Sequence, residues 1–418
     1  MKKYDLIVVG GGLAGVGAAV AGARQGLSVM LVEKSNNLGG AMTNSLVYPF
    51  CPYRAINPEK KTDKLLSGGI FTEMRERYAE KTGSKVDRNF DTEYFKFVLD
   101  DIVTDAGVEV LFHATVYGVS TNERKVTSVQ VATKAGNMEF EADFFVDTSG
   151  DGDLFYLAGC DYLLGREEDN LCQPMTTCFR LCGVDLDKYV DELPRLQELY
   201  KEYRASGKIT NPRENLLIFD GVGDGILHFN TTRIVRMDPT NPFDISIAEI
   251  EARKQICEVV DLLRNNSEAF KNCMISSVAT QIGVRESRKL KGEHILTVEE
   301  LFDRVMFDDS IALGNYDVDI HSPSGTGTVM IKFDRRYYYS IPYRSLLPKE
   351  FDNLLVAGRC ISATHEAQSS VRIMPICACL GEAAGTAIGL AKNTGLNTHT
   401  IDVKALQKLL TDNGAQIY

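Results

Sequence analysis

The 418-residue chain has no tryptophan, no Cys-x-x-Cys pair, no His-x-x-x-His pair and no Gly-x-Ser-x-Gly elbow. Its ten cysteines, Cys51, Cys160, Cys172, Cys178, Cys182, Cys257, Cys273, Cys360, Cys377 and Cys379, are scattered. That excludes a zinc ribbon and a thioredoxin-type dithiol, and it fits reduced, buried thiols in a cytoplasmic protein. Six dispersed histidines predict no metal site, and without the elbow a serine hydrolase is not indicated. Positive charge is also short. With 46 Lys and Arg against 57 Asp and Glu, the net charge of -11 argues against a nucleic-acid partner. Long apolar runs are lacking too. The late run 373–391 carries Glu382 and several glycines, so no membrane partner is expected. The start, "MKKYDLIVVGGGLAGVGAAVAGA", imitates a secretory signal, but three central glycines weaken its helix, and a cytoplasmic location is expected.

What the chain does have is a buried-strand grammar at both ends. "YDLIVV" (4–9) is a continuous apolar run suited to a parallel strand covered on both faces. Small residues follow in a helical pattern over 13–26, then a second strand, "LSVMLVEK" (27–34). The segment 91–106 predicts a helix capped by Asp91, and strands are expected at 108–113, 125–133 and 138–146 as a small antiparallel element. "PEKKTDK" (58–64) reads as a solvated loop. Between 161 and 344 the parallel alternation stops, and helices at 185–206 and 246–270 mix with strand-like pieces such as "ILHFN". "NLLVAGR" (353–359) then repeats the strand-then-glycine signature before a small-residue helix at 375–394 and an amphipathic helix capped near Thr400 or Asp402. The expected class is α/β: a Rossmann-like nucleotide-binding domain split in sequence (1–160 and 345–418), with an inserted α+β substrate-facing domain (161–344).

Gly10, Gly12 and Gly15 stand in Gly-x-Gly-x-x-Gly register between a strand and a helix. Gly10 permits the tight turn, Gly12 leaves room for a pyrophosphate, and Gly15 allows close helix–strand packing. Leu13 and Ala14 open the helix whose positive end faces the anion. Glu33 ends the second strand, where a carboxylate accepts ribose hydroxyls and repels a 2′-phosphate, with Lys34 beside it. An ADP moiety follows. Later features favour FAD over NAD. Gly39, Gly40, Ala41, Met42 and Thr43 suit a backbone threading past the diphosphate and ribityl chain. Val116 falls among the cofactor contacts, "DFFVDTSGDGD" brings Ser149, Gly150 and Asp151 back to the nucleotide, and Gly358, Arg359 and Arg372 return once more near the end. A flavin, whose ring lies far from its adenine, requires such a late return.

These motifs, together with "GVRESRKLKGEHILT" (283–297), "IPYRSLLP" (341–348) and "NLLVAGRCISATHEAQSSVRIMPICACLGEAAG" (353–385), resemble the FAD-dependent oxidoreductase family over nearly the whole chain. That family is related to fumarate-reductase flavoproteins of the glutathione-reductase-like fold group. The resemblance implies FAD, redox chemistry and a small-molecule substrate. It also has departures. Related disulfide reductases carry Gly-Asp where this chain has Gly358-Arg359, and a redox disulfide where it has only Cys51. No second Gly-x-Gly-x-x-Gly marks an NAD(P)H domain, so the sequence names no electron partner, and it names no oligomeric state. No histidine precedes His113, so FAD is expected to be non-covalent.

A hydride transfer between flavin N5 and a small organic substrate is the expected reaction, with a flavin monooxygenase or a non-catalytic FAD-binding protein as alternatives. The lack of tryptophan removes the motif of flavin halogenases. Candidate catalytic residues are His365, Arg285, Arg372 and His321. Strand alternation would turn Arg285 toward flavin or substrate and leave Glu286 and Arg288 to fix each other. His365 and Arg372 are expected to flank the loop before the last long helix, with His365 as acid or base. His321 is placed in a loop of the inserted domain, and Tyr343 at a hinge or pocket.

Overall fold

The computed structural model describes residues 2–57 and 59–418. The opening apolar run forms β1 (Lys3–Val9), buried from Leu6 to Val9, followed by α1 (Leu13–Arg24) and β2 (Val29–Val32). β2 pairs in parallel with β1, Leu6 opposite Val29. β3 (Arg54–Asn57) and β4 (Thr62–Leu65) make an antiparallel hairpin, so the end of the stretch expected as a loop is a strand; Pro58 lies outside the described residues. After α2 (Gly69–Thr82) comes α3 (Thr92–Asp105), where the Asp91 side chain accepts from Glu93 N–H as the capping pattern predicts.

β5 (Glu109–Leu111) joins β2 in parallel, and β6 (Thr115–Asn122), β7 (Lys125–Thr133) and β8 (Gly136–Asp147) form a meander. The expected antiparallel trio is therefore corrected. Segment 108–113 belongs to the parallel side, and the true third strand, β6, exposes much of its length and shows little apolar alternation. β8 bridges the halves, antiparallel to β7 and parallel to β1.

α4 (Asp153–Ala158) packs its Leu154 and Phe155 with β1 and β8, and the chain then runs through β9 (Tyr162–Leu164), β10 (Phe179–Cys182), α5 (Leu186–Ala205), β11 (Ile218–Gly223), β12 (Ile226–Phe229), α6 (Pro242–Asn266), β13 (Met274–Val278) and β14 (Arg288–Leu290) of the inserted part. Four of its strands form one sheet in the order β11-β12-β10-β13. Phe179, Leu181, Leu227 and Phe229 share a core with Leu196 of α5 and Val259 of α6. α6 begins a turn earlier than its apolar pattern suggested, because Asn241 caps it and Pro242 opens it.

The chain then runs through α7 (Val298–Phe302), β15 (Ser310–Gly314), β16 (Val318–His321), β17 (Thr328–Ile331), β18 (Tyr339–Pro342), β19 (Leu354–Val356), α8 (His365–Val371), α9 (Met374–Thr394) and α10 (Val403–Asp412). β19 returns to pair in parallel with β8, Leu355 opposite Val146, which makes the nucleotide sheet a split one. Leu296, Leu301, Ile341 and Leu346 join the same core cluster as α1 and α9.

The small residues of α1 and α9 have a definite use. A Cβ on Gly381 would sit 1.9 Å from Ala14 O, and one on Gly385 2.1 Å from Ala18 O, so the two backbones touch. The register rises together along both helices, so they run parallel. α9 is the one helix among the described residues long and apolar enough to cross a membrane, and it is 94% buried inside the fold. All ten cysteines are free; Cys257 is exposed, against expectation, and Cys51 and Cys182 are half-buried.

Candidate functional site

The three glycines of the first turn do different work. A Cβ on Gly15 would lie 1.8 Å from Gly10 O, and one on Gly10, whose φ is +103°, would lie 2.5 Å from Thr148 O. Both positions are closed by backbone. A Cβ on Gly12 would meet nothing within 4 Å. Gly12 is also the N-cap of α1 and offers no side-chain cap, so the N–H groups of the first turn point outward unpaired. An anion fits there.

Glu33 accepts from Gly11 N–H at 2.6 Å and from Ser35 N–H at 2.7 Å, which fixes the carboxylate beside the turn. Gly39 N–H donates to Gly11 O, bringing the 39–43 segment against the turn, and Thr43 Oγ1 donates to Leu38 O. Met42 is buried, Ala41 and Lys34 are exposed, Gly40 is half-exposed, and Val116 is packed in the core of the sheet.

At the end of β8, buried Asp147 accepts from Ser149 N–H and Phe155 N–H and is pushed up to about 6 by its burial. Asp151 accepts from Arg359 Nη2 and Ser287 Oγ, both at 2.8 Å. A Cβ on Gly150 would come within 2.9 Å of Arg359 Nη2. Arg359 is thus committed to Asp151, where related reductases carry an acid. Gly358 (φ +89°) approaches the Ala14 side chain, so the late strand meets the first turn of α1.

The donor set fits an extended dinucleotide. α9, like α1, has no side-chain cap. The two run parallel, and Ala14, second in α1, lies against Gly381, eighth in α9. At 1.5 Å per residue the uncapped end of α9 projects about 9 Å beyond that of α1. Two positive helix ends, staggered and facing one way, match a diphosphate and a distant electron-rich ring edge.

Arg285, Arg372 and His321, though distant in sequence, come together. Arg285 donates to Pro174 O, Thr176 Oγ1 and Asn230 Oδ1, and Arg372 to Gln173 Oε1, Ser369 O and Asp319 O. Every one of these partners is an uncharged oxygen. Burial, with Arg372 and Arg213 nearby, pulls Arg285 down to about 9, so it is still a cation at neutral pH.

His321 closes β16 and is not in a loop, a correction to the sequence reading. Its Nδ1 lies 3.0 Å from Arg233 Nη2 and 3.1 Å from Thr328 Oγ1. A guanidinium cannot accept, so Nδ1 is the acceptor and the proton sits on Nε2, 3.4 Å from Asp319 Oδ2. Burial and the Arg285 charge push His321 down to about 3, which agrees with a neutral ring. Asp319 is held below the usual carboxylate range; burial works against this, but His321, Arg372 and Arg285 outweigh it. Asp319 Oδ1 and Gln173 Nε2 are buried without a partner.

His365 lies elsewhere. It is the first residue of α8, capped by Thr364, and Arg372 is the C-cap of the same helix, so the two are about 10 Å apart along its axis. The expected flanking loop is a helix. Neither Arg285 nor Glu286 lies in a strand, since β14 begins only at Arg288, and Glu286 does not pair with Arg288. It binds His365 Nδ1 at 2.7 Å and Lys289, while Arg288 takes Asp153 at 3.1 Å. Burial would raise the Glu286 carboxyl, yet His365 and Lys289 hold it down. Tyr343 is a core residue donating to Thr398 O at 2.9 Å, not a pocket residue.

Gln173, Asp319 and Arg233 were missed from sequence. "DIHSPSG" drew attention to His321 only; a carboxylate two residues before a histidine on one strand face was the available signal.

A family model described as FAD dependent oxidoreductase matches residues 5–410. Digeranylgeranylglycerophospholipid reductase 1 of Methanococcoides burtonii is 28% identical over 196 residues, 44% of this chain and 46% of that protein. Digeranylgeranylglycerophospholipid reductase of Thermoplasma volcanium is 24% identical over 196 residues, 45% and 49% of the two. The chain spans about half the length of the curated relatives it matches. Among solved structures, a geranylgeranyl bacteriochlorophyll reductase-like protein from Thermoplasma acidophilum aligns with TM-score 0.48 and 13% identity, over 99% of this chain and 85% of that one. The chain belongs to the FAD dependent oxidoreductase family, an enzyme family with FAD as cofactor.

Proposed function

We propose that this family member oxidises or reduces a small anionic organic substrate held between Arg285 and Arg372. The observation that carries this reading is that both guanidiniums hydrogen-bond only to neutral oxygens and share a single nearby carboxylate, Asp319, which leaves a net positive charge inside a chain of net charge -11. Within the family we place the chain beside the fumarate-reductase-related flavoproteins of the glutathione-reductase-like group, on its single dinucleotide motif and its lack of a redox dithiol.

The turn Gly10–Gly15, Glu33 and Lys34 would take the ADP half of FAD; Gly39–Thr43, Val116, Ser149–Asp151 and Gly358–Arg359 would line the remainder. When bound non-covalently, FAD supplies two-electron chemistry, accepting or giving a hydride at ring N5. Arg285 and Arg372 fix the substrate's anionic group and orient it. The neutral His321 holds its proton on Nε2 against Asp319, where it can donate to a substrate oxygen. The Glu286–His365 pair, with Nδ1 anchored, is the arrangement that can take up and release a proton at Nε2.

The test is anaerobic mixing of FAD-loaded protein with a panel of organic acids and their methyl esters. Acids that bleach the flavin, or reoxidise the reduced form, while the esters do not, would support the reading; equal rates with esters would overturn it. Oxygen-18 from O2 appearing in the product would replace the hydride-transfer reading by a monooxygenase.

A further inference from the structure

The inserted sheet has two unlike faces. One packs Phe179, Leu181, Leu227 and Phe229 against α5 and α6. On the other, a single row crosses all four strands: Phe219 opposite His228, His228 opposite Arg180, and Arg180 opposite Ser277. Side chains directly opposite in antiparallel strands stand about 5 Å apart on one face, so three hydrogen-bonding side chains lie side by side.

Arg180 and His228 are buried and Ser277 is half-buried, and their polar ends, closed off from solvent, have no partners. Arg180 is 7% exposed and His228 0%. Arg180 Nε and Nη2, both ring nitrogens of His228, and Ser277 Oγ all lack a hydrogen-bond partner. The acids that bear on Arg180, Asp91 and Glu93, form no ion pair with it among the described residues. Each orphan of this kind opposes folding, a guanidinium most of all. A sheet face built only for stability would not place five such atoms together.

The pattern of orphans is specific. Nε and Nη2 form the side-on edge of a guanidinium, which matches the two oxygens of a planar carboxylate. An aromatic wall closes the row. The Tyr48 ring is 5.2 Å from His228 and 6.4 Å from Phe219, and 5.4 Å from Phe90. Burial and the charge of Arg180 keep His228 neutral, so it offers one N–H donor. Cys178, two residues before Arg180, feels the charges of Arg285, Arg213 and Arg180 together.

We propose that Arg180, His228 and Ser277 form a second, carboxylate-binding subsite under Tyr48, Arg180 presenting its Nε and Nη2 edge to both carboxylate oxygens and the other two hydrogen-bonding beside it. This rests on the reading of an anionic substrate and narrows it: the substrate carries a carboxylate remote from the group held by Arg285 and Arg372.

The experiment is calorimetric titration of the FAD-loaded full chain with benzoate, and with benzamide as the uncharged match. Wild-type protein is expected to bind benzoate and not benzamide. Arg180→Met should weaken benzoate binding about a hundredfold and Arg180→Lys, which keeps the charge but loses the planar edge, at least about tenfold. Unchanged flavin content in both variants shows that the fold is kept; should Arg180→Met lose flavin, Arg180→Lys and Ser277→Ala carry the test. Benzoate binding that survives in the Arg180 variants but is lost in Arg372→Met would overturn this subsite and leave the proposed function standing. No benzoate binding by the wild type, or equal binding of benzamide, would overturn the subsite as well. If esters and acids react with the flavin alike while Arg180 still governs benzoate binding, it is the proposed function that falls.

Discussion

The cofactor lobe and the inner face of the inserted sheet solve recognition in opposite ways. Around Gly12 the chain offers backbone: two uncapped helix ends, glycines packed on carbonyls, and a carboxylate held by two N–H groups. On the inserted sheet and around Arg285 and Arg372 it offers side chains, guanidiniums above all, whose hydrogen-bond partners are neutral or missing. A ligand shared by a whole family can be met by backbone, since main-chain N–H groups survive changes of sequence. A substrate particular to one protein needs side chains, and these are gathered from β10, β12, β13 and β16 and from α8.

The sharpest way to break that comparison is at the glycines. Gly15→Val is expected to destabilise the fold by about 3 kcal/mol or more, since its Cβ would overlap Gly10 O. Gly12→Val should leave stability within about 1 kcal/mol and lose FAD. Urea unfolding and flavin content of the two variants measure this, and equal stability loss in both would end the distinction. Glu33→Ala comes next. It should lower FAD affinity by about 2–4 kcal/mol, the value of hydrogen bonds to a charged acceptor; unchanged occupancy after dialysis would show that the carboxylate serves only Gly11 and Ser35.

On the substrate side, Arg285→Met and Arg372→Met should each keep FAD and slow flavin reduction by substrate about a hundredfold, near 3 kcal/mol. His365→Ala, remote from Arg372, should act mainly on the pH profile of that step. Stopped-flow reduction decides, and wild-type rates in both arginine variants would return them to structural roles.

The two regions should also answer pH with opposite sign. His228, pushed down to about 3, binds its proton in the unfolded chain first, so its contribution is intact above about pH 6.5 and falls as pH drops below that. Glu382 in α9 accepts from Ile70 N–H and is pushed up to about 7 by burial, so its contribution is intact below about pH 4.5 and is lost as pH rises toward 7. Between pH 5 and 6 the stability of His228→Gln relative to wild type should rise by about 1.4 kcal/mol per unit of acidification, and that of Glu382→Gln should fall by about as much. Parallel lines from ligand-free titrations would refute the assignment. The smallest effect is local: Asp91→Ala should cost about 1 kcal/mol in denaturant stability through the lost cap of α3, with no change in flavin content.

The cofactor lobe was legible because its signals are short-range. Gly10, Gly12 and Gly15 fall within six residues, and each strand around them is a plain apolar run. Asp91 was readable as a cap for the same reason. Where a local pattern was weak the reading slipped: β6 exposes much of its length, and the start of α6 depends on Asn241 and Pro242 more than on apolar periodicity. Strand alternation was expected over 285–288, but β14 starts only at Arg288, and nothing local told that Glu286 would choose His365, 79 residues away, over Arg288 two positions on.

Sequence by itself therefore determined the βαβ start, the split return at β19 and the dinucleotide turn, because each depends on neighbours along the chain. Tertiary structure alone decided that Arg372 joins Arg285 and His321 while His365 does not, that the His321 proton sits on Nε2, and that Arg180, His228 and Ser277 stand in one row. Those facts depend on strand register and on which donors face each buried nitrogen, and contacts between residues dozens to hundreds of positions apart leave no periodic mark on the chain that makes them.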